Sequence, residues 1–213
     1  GLSTVALRMP SHPVASALID AVGFPLAAPS ANVSGRPSPT DAETVWRDLR
    51  GRIEMILDGG PVSVGIESTV IDVSEELPLL LRPGGMPAEE IEAFLGEPLR
   101  HPDGRSSRRS PGTRYRHYAP TIPVRVWHPE APFEMAEMVG MELERWGFMG
   151  LAVPPARFGR VLRFESVENY ARGLFSGFRA LEAEGLLGIV AEWPPAAGVG
   201  LGLRDRIRRA EQA

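Results

Sequence analysis

From Val124 onward, short apolar runs alternate with longer stretches of helical period, and this alternation restricts the fold more than any other feature. Val124–Trp127, Gly150–Val153, Val161–Phe164 and Leu187–Glu192 have strand character. Pro132–Trp146, Val167–Glu184 and Leu203–Ala210 have the spacing of helices, the last rich in Arg. Strands separated by helix-length connections pack side by side through crossovers, so the pattern predicts an α/β domain with a largely parallel sheet.

The first hundred residues are less regular. Thr4–Met9 and Pro25–Ala28 read as short strands, the second buried, and His12–Val22 as a helix spaced by Val14, Ala17, Leu18 and Ala21. Gly23 stands where a helix C-cap belongs. Asp41 is placed to cap a helix running to about Leu49, with Val45, Leu49 and Trp46 turned inward. Met55–Leu57, Thr69–Val73 and Leu79–Leu81 are further expected strands, and Pro87–Leu95 a closing helix.

Charge separates these parts. Residues 1–99 carry 6 Arg against 14 acids, whereas residues 100–116 carry 6 Arg against Asp103 alone. Residues 117–213 are nearly balanced, with 11 Arg and 12 acids. The basic block is rich in Gly, Pro and Ser, lacks apolar period, and reads as an exposed linker. The expected division is a domain over 1–96, a linker over 97–123 and a second domain over 124–213. The block could touch RNA phosphates, but it lacks aromatic platforms, so a solvated linker is the better reading.

Composition removes several chemistries. The chain has no Cys, which excludes disulfides, thiolate metal sites and a Cys nucleophile. All 23 basic residues are Arg, which excludes a Schiff-base lysine and a P-loop lysine within these residues. The four His show no metal-ligand spacing, so no protein-built metal site is expected. No apolar run approaches a membrane span and the first residues lack signal-peptide character, so a soluble cytoplasmic protein is the default expectation.

Three groups of residues can carry chemistry. The stretch Ala27–Thr40 offers the hydroxyls of Ser30, Ser34, Ser38 and Thr40, the amide of Asn32 and the guanidinium of Arg36. Such groups after a strand suit phosphate oxygens and ribose hydroxyls. On composition alone, a connector that merely caps the next helix stands at even odds. Ser68, in Gly65-Ile-Glu-Ser-Thr-Val70, lacks the surroundings of a nucleophile elbow and is expected to hydrogen-bond rather than attack. Arg8 and Arg82 end apolar runs, where a charge is costly unless paired or bound to an anion. A salt bridge is the ordinary outcome for one such Arg; two beside Ser-rich turns favour an anionic ligand. Gly198-Val-Gly-Leu-Gly202 departs from the dinucleotide-loop spacing and reads as a turn.

In order, Thr4-Val-Ala-Leu-Arg8-Met-Pro, Ala28–Thr40, Leu57-Asp-Gly-Gly60, Gly65–Asp72 and Leu81-Arg-Pro-Gly84 resemble the later half of a YrdC-like domain. Ser110-Pro-Gly-Thr-Arg-Tyr-Arg-His-Tyr-Ala-Pro120 resembles the linker of the two-domain L-threonylcarbamoyladenylate synthases, and Gly200–Ala210 is similar to the end of their smaller C-terminal domain. The resemblance implies a partial YrdC-like twisted open sheet followed by a Rossmann-like α/β domain. It implies an enzyme condensing L-threonine, bicarbonate and ATP into threonylcarbamoyl-AMP and pyrophosphate, for N6-threonylcarbamoyladenosine in tRNA. Carried over by position, Thr4, Ser30, Asn32, Ser38 and Arg82 would contact ATP. Arg8, the backbone at Ala28, and Ser68 would hold threonine, and Tyr118 would act as a lid. Mg²⁺ would arrive with the nucleotide. Partners would be the substrates, downstream threonylcarbamoyl transferase proteins, and tRNA or double-stranded RNA, with no membrane.

The family's Thr-rich loop and Lys-x-Arg motif have no counterpart here, so the resemblance implies a fragment whose N-terminal part is absent. The alternative is a non-catalytic nucleotide- or RNA-binding remnant of the same family. A carbamoyltransferase-type YrdC protein is disfavoured by the His-Tyr-Ala-Pro linker and the second domain.

Overall fold

The structure, a computed structural model, describes residues 4–101, 118–130 and 142–212. The chain forms two compact units. One comprises residues up to Val33 together with Ser38–Val62; the other comprises Ser34–Pro37 and everything from Ser63. The basic block falls outside the described residues except at Arg100 and His101, as does most of the helix expected over Pro132–Trp146.

The first unit holds helices α1 (Pro13–Val22) and α2 (Ala42–Leu49). Pro13 begins α1, where its missing N–H costs nothing, and Gly23 ends it at φ 75°, donating its N–H to the Ile19 carbonyl. Asp41 caps α2 by accepting the Thr44 N–H at 2.7 Å. Trp46, expected to turn inward, is exposed. His12 Nε2 lies 3.2 Å from the Gly59 carbonyl and so ties the start of α1 to the Asp58-Gly59-Gly60 turn.

The strands expected over Thr4–Met9, Pro25–Ala28 and Met55–Leu57 are irregular backbone. Val5, Leu7, Met9, Phe24 and Met55 are exposed, and no described apolar residue of this unit belongs to the buried core. Strand propensity is realised only when a neighbouring strand pairs the backbone and covers the side chains. Among the described residues none does so for these segments.

The second unit contains an antiparallel pair, β1 (Val70–Asp72) with β2 (Leu79–Arg82), then helix α3 (Ala88–Leu95). A four-stranded sheet follows: β3 (Val124–Trp127), β4 (Trp146–Gly150), β5 (Arg160–Arg163) and β6 (Gly188–Glu192). Its spatial order is β3-β6-β4-β5, and every neighbouring pair is parallel, as the strand–helix alternation predicts. Helices α4 (Val167–Ala183) and α5 (Gly200–Glu211) complete the unit.

Period-two alternation sorts the sheet's side chains. Met149, Ile189 and Ala191 join Leu174, Phe178 and Leu181 of α4 and Leu203 and Ile207 of α5 in the main core. Trp146, Phe148 and Val190 point the other way and pack with Phe158. The fold is α/β throughout the described residues, with one antiparallel and one parallel sheet.

Two boundaries move, both at glycines. Helical character read through Trp146 gives way to a 3-10 turn over Leu143–Arg145, and β4 begins at Trp146 rather than Gly150. Gly147 and Gly150 look like breakers, but each admits a close neighbour. A Cβ on Gly147 would lie 2.9 Å from the Leu181 side chain, and one on Gly150 2.3 Å from the Glu192 carboxylate. Likewise, of Gly198-Val-Gly-Leu-Gly202, read as a turn, Gly198 and Val199 lie in one, whereas Gly200-Leu-Gly202 is the first turn of α5, which starts before Leu203. There a Cβ on Gly202 would stand 2.6 Å from the Gly84 carbonyl oxygen.

Candidate functional site

Four segments of the second unit converge around two arginines. Arg82 ends β2 and is buried, with Nη2 donating to the Ser68 carbonyl at 2.9 Å. Ser68 itself is exposed, two residues before β1. The turn after β2 lies directly on the Ser68 turn: the Gly85 N–H donates to the Glu67 carbonyl at 3.0 Å. A Cβ on Gly84 would meet Glu67 O at 2.3 Å and the Ser68 carbonyl carbon at 2.4 Å, so only glycine fits.

Arg206 of α5 enters from the helix side and is fully buried. Its Nε donates to Glu67 Oε2 at 2.6 Å, and its Nη1 donates to Asp205 Oδ2 at 2.5 Å and to the Pro83 carbonyl at 3.2 Å. Asp205 also accepts from Arg209 Nε at 2.9 Å. The Arg206 guanidinium lies 5.1 Å from the centroid of the Tyr118 ring, a cation–π contact. Tyr118 is buried, stacks on Phe175 at 5.7 Å, and has φ 73°, an uncommon conformation for a non-glycine residue.

The electrostatics follow from this packing. Burial, and after it the charge of Arg206, holds the Arg82 pKa below the ordinary guanidinium value. Burial also acts to lower the Arg206 pKa, but the charges of Glu67 and Asp205 reverse this and hold it above the ordinary value. Burial, then the Glu67 charge, pushes the Tyr118 phenol up. Glu67 and Asp205 neutralise Arg206, whereas Arg82, buried beside the exposed Ser68, is the guanidinium whose planar fork suits an oxyanion such as a phosphate or carboxylate.

The structure thus brings Ser68, Arg82 and Tyr118 together in the second unit. Thr4, Arg8, Ala28, Ser30, Asn32 and Ser38 belong to the first. The first four of these are exposed, whereas Asn32 and Ser38 are half-buried. Asn32 Nδ2 donates to the Val33 carbonyl at 2.8 Å. Arg36, read as part of the same polar stretch, belongs to the second unit and pairs with Glu182. No motif marks Glu67 or Arg206, but the helical period does carry a signal for the arginine. Arg206 shares the helical spacing of Leu203, Ile207 and Ala210, so it lies on the buried face of α5. Among the described residues, no group of three or more His, Asp or Glu could hold a metal ion, and no helix is long and apolar enough to cross a membrane.

The described residues form an α/β fold in which two arginines pack beside the Ser68 segment, and known families resolve the class. Residues 1–84 match the family model described as "Telomere recombination", and residues 86–211 match the one described as "Threonylcarbamoyl-AMP synthase, C-terminal domain". The chain belongs to the threonylcarbamoyl-AMP synthase C-terminal domain family. It is 42% identical over 223 residues to the threonylcarbamoyl-AMP synthase of Bacillus subtilis, covering 99% of this chain and 64% of the relative. It is also 42% identical over 221 residues to that of Pyrococcus abyssi, again covering 99% and 64%. Among solved structures it resembles P. abyssi Sua5 complexed with L-threonine, with TM-score 0.86 and 39% identity, covering 100% of this chain and 65% of that one. The chain therefore spans just under two thirds of the length of these relatives.

Proposed function

We propose that the chain acts as a threonylcarbamoyl-AMP synthase. The amine of L-threonine and bicarbonate would give threonylcarbamate with loss of water. A carbamate oxygen would then attack the α-phosphate of ATP, and pyrophosphate would leave. The observation that supports this most is the Ser68–Arg82 arrangement: a buried guanidinium fixed beneath an exposed hydroxyl turn, in a chain 42% identical to named synthases over 99% of its length. Such chemistry needs positioning and charge neutralisation, with no protein nucleophile.

In the second unit, Arg82 is proposed to face ATP, Ser68 to hydrogen-bond threonine, and Tyr118 to serve as the lid. In the first, Thr4, Ser30, Asn32 and Ser38 are proposed ATP contacts, and Arg8 and the backbone at Ala28 threonine contacts. Arg8 suits a carboxylate because its planar fork can make two parallel hydrogen bonds. Mg²⁺ is proposed to arrive with the nucleotide as its counterion. The proposal keeps the division into residues 1–96, 97–123 and 124–213. It also includes a cytoplasmic setting, handover of the product to threonylcarbamoyl transferase proteins, and contact with tRNA or double-stranded RNA.

The test is pyrophosphate release dependent on both threonine and bicarbonate. It should be run on this chain and on any form extended by in-frame upstream sequence. Release that requires both co-substrates supports the reading. If neither form releases pyrophosphate while calorimetry still detects ATP or tRNA binding, the chain is a binding remnant instead.

A further inference from the structure

We propose that Arg206 is a positioning residue for this site, holding from the C-terminal helix the two turns that carry Ser68 and Arg82. The inference rests on the synthase reading for the identity of the ligands; the geometry stands by itself.

Two donors of Arg206 reach different parts of the site. Nε grips the side chain of Glu67, the residue before Ser68, and Nη1 grips the carbonyl of Pro83, the residue after Arg82. The flat face of the guanidinium carries the Tyr118 ring. One helical turn earlier, Gly202 lies on the same side of α5 and packs directly on Gly84. Gly84 in turn packs on the backbone of Glu67 and Ser68. Helix α5 thus meets the turn after β2 twice, through Gly202 on Gly84 and Arg206 on the Pro83 carbonyl, and the Ser68 segment once, through the Arg206–Glu67 ion pair.

Stability alone is a poor account of this arrangement. Arg206 is fully buried, and its Nη2 has no hydrogen-bond partner among the described residues. A buried ion pair of this kind often adds no net stability over apolar packing, because desolvation offsets the attraction. What it does provide is geometry: one planar group fixes the spacing of two turns and one aromatic ring. Lysine, a point charge on a flexible stem, cannot reproduce that fork.

The test compares Arg206→Lys, Glu67→Gln and the surface control Arg208→Ala with the unchanged chain. Each is titrated calorimetrically with ATP, and with L-threonine in the presence of saturating ATP, and thermal melting reports folding. Arg206→Lys is expected to keep a cooperative melt but to weaken both ligands about tenfold, which corresponds to about 1.4 kcal/mol each. Glu67→Gln, which loosens only the Ser68 turn, should weaken threonine more than ATP. Arg208→Ala should leave both affinities unchanged. Folded Arg206→Lys with unaltered affinities overturns the proposal. Should that variant fail to fold, unaltered threonine affinity in Glu67→Gln overturns it instead. Absence of ATP binding by both the unchanged chain and its upstream-extended form removes the synthase reading, and this inference with it; where only the extended form binds, the variants are compared in that form, and normal binding by all of them removes this inference alone.

Discussion

Arg36 and Glu182 stand 146 positions apart and meet as a two-pronged ion pair, Nη1 to Oε1 at 2.8 Å and Nη2 to Oε2 at 2.5 Å. Glu182, on α4, also accepts the Thr121 N–H at 2.6 Å and the Thr121 hydroxyl. Arg179, nearly one turn earlier, donates to the Pro37 carbonyl at 2.5 Å. Helix α4 thereby fastens the short Ser34–Pro37 segment to the second unit.

Replacing Arg36 with Gln should lower the unit's stability by about 2 kcal/mol, as expected for a hydrogen-bonded charge pair, read by urea denaturation. Burial acts to raise the Glu182 pKa, but the bonds from Arg36 and Thr121 outweigh it and hold the carboxyl below its ordinary value. A depressed carboxylate stabilises fully above the unfolded pKa, about 4.3 for Glu, and the contribution fades as pH falls through the lower folded value. The stability gap between the unchanged chain and Glu182→Gln should therefore narrow on acidification. A gap that widens toward acid contradicts the assignment.

Gly202→Ala tests the close packing of α5. In an exposed helix this change would gain up to about 1 kcal/mol. Here the new Cβ would lie 2.6 Å from the Gly84 carbonyl oxygen, a backbone atom with little freedom to move. The expected sign is therefore reversed, with a loss of about 2 kcal/mol from overpacking. A rise in melting temperature would show that the helix and turn are not in this contact.

Tyr170 is fully buried and donates to two carbonyls, Met149 at 3.1 Å and Glu192 at 3.2 Å. Burial, then the Glu192 charge, pushes its phenol well above the ordinary value. Between the unfolded pKa, about 10, and the higher folded one, the unfolded chain binds fewer protons, so stability falls as pH rises. Tyrosinate absorbance from Tyr170 should appear only with unfolding in an alkaline titration. Tyr170→Phe should cost about 1 kcal/mol at neutral pH while flattening the alkaline loss.

Ser166 caps α4, its hydroxyl accepting the Asn169 N–H at 3.2 Å. Ser166→Ala should destabilise the second unit by about 1 kcal/mol, and Ser166→Asp should restore most of that loss. Equal melting temperatures for all three chains would exclude the cap.

Legibility in the sequence tracked how local the cause was. Helix α1 was readable because Pro13 and Gly23 mark its ends, and α2 because Asp41 caps it. The parallel sheet was readable because its strands are apolar runs spaced by helices. The start of β4 was not, since Gly147 is explained only by Leu181 arriving from 34 positions away. The site shows the same split. Arg82 stood out as a charge ending an apolar run, and the structure sets it against the Ser68 turn. Its neighbour Arg206 is bound to a glutamate 139 positions distant, a partnership that no local pattern encodes. The apolar character of Thr4–Met9 was plain, yet pairing is a property of two segments and cannot be read from one.

The order β3-β6-β4-β5 also bears on how the chain is made. Strand β6, the last described strand in chain order, sits between β3 and β4 and is the sole described neighbour of β3. Synthesis must therefore reach Glu192 before β3 can join the sheet, and must reach α5 before the Glu67 and Pro83 turns find Arg206. Nascent chains stalled short of Gly188 would expose the apolar edges of β3 and β4, making them natural clients for chaperones and proteases.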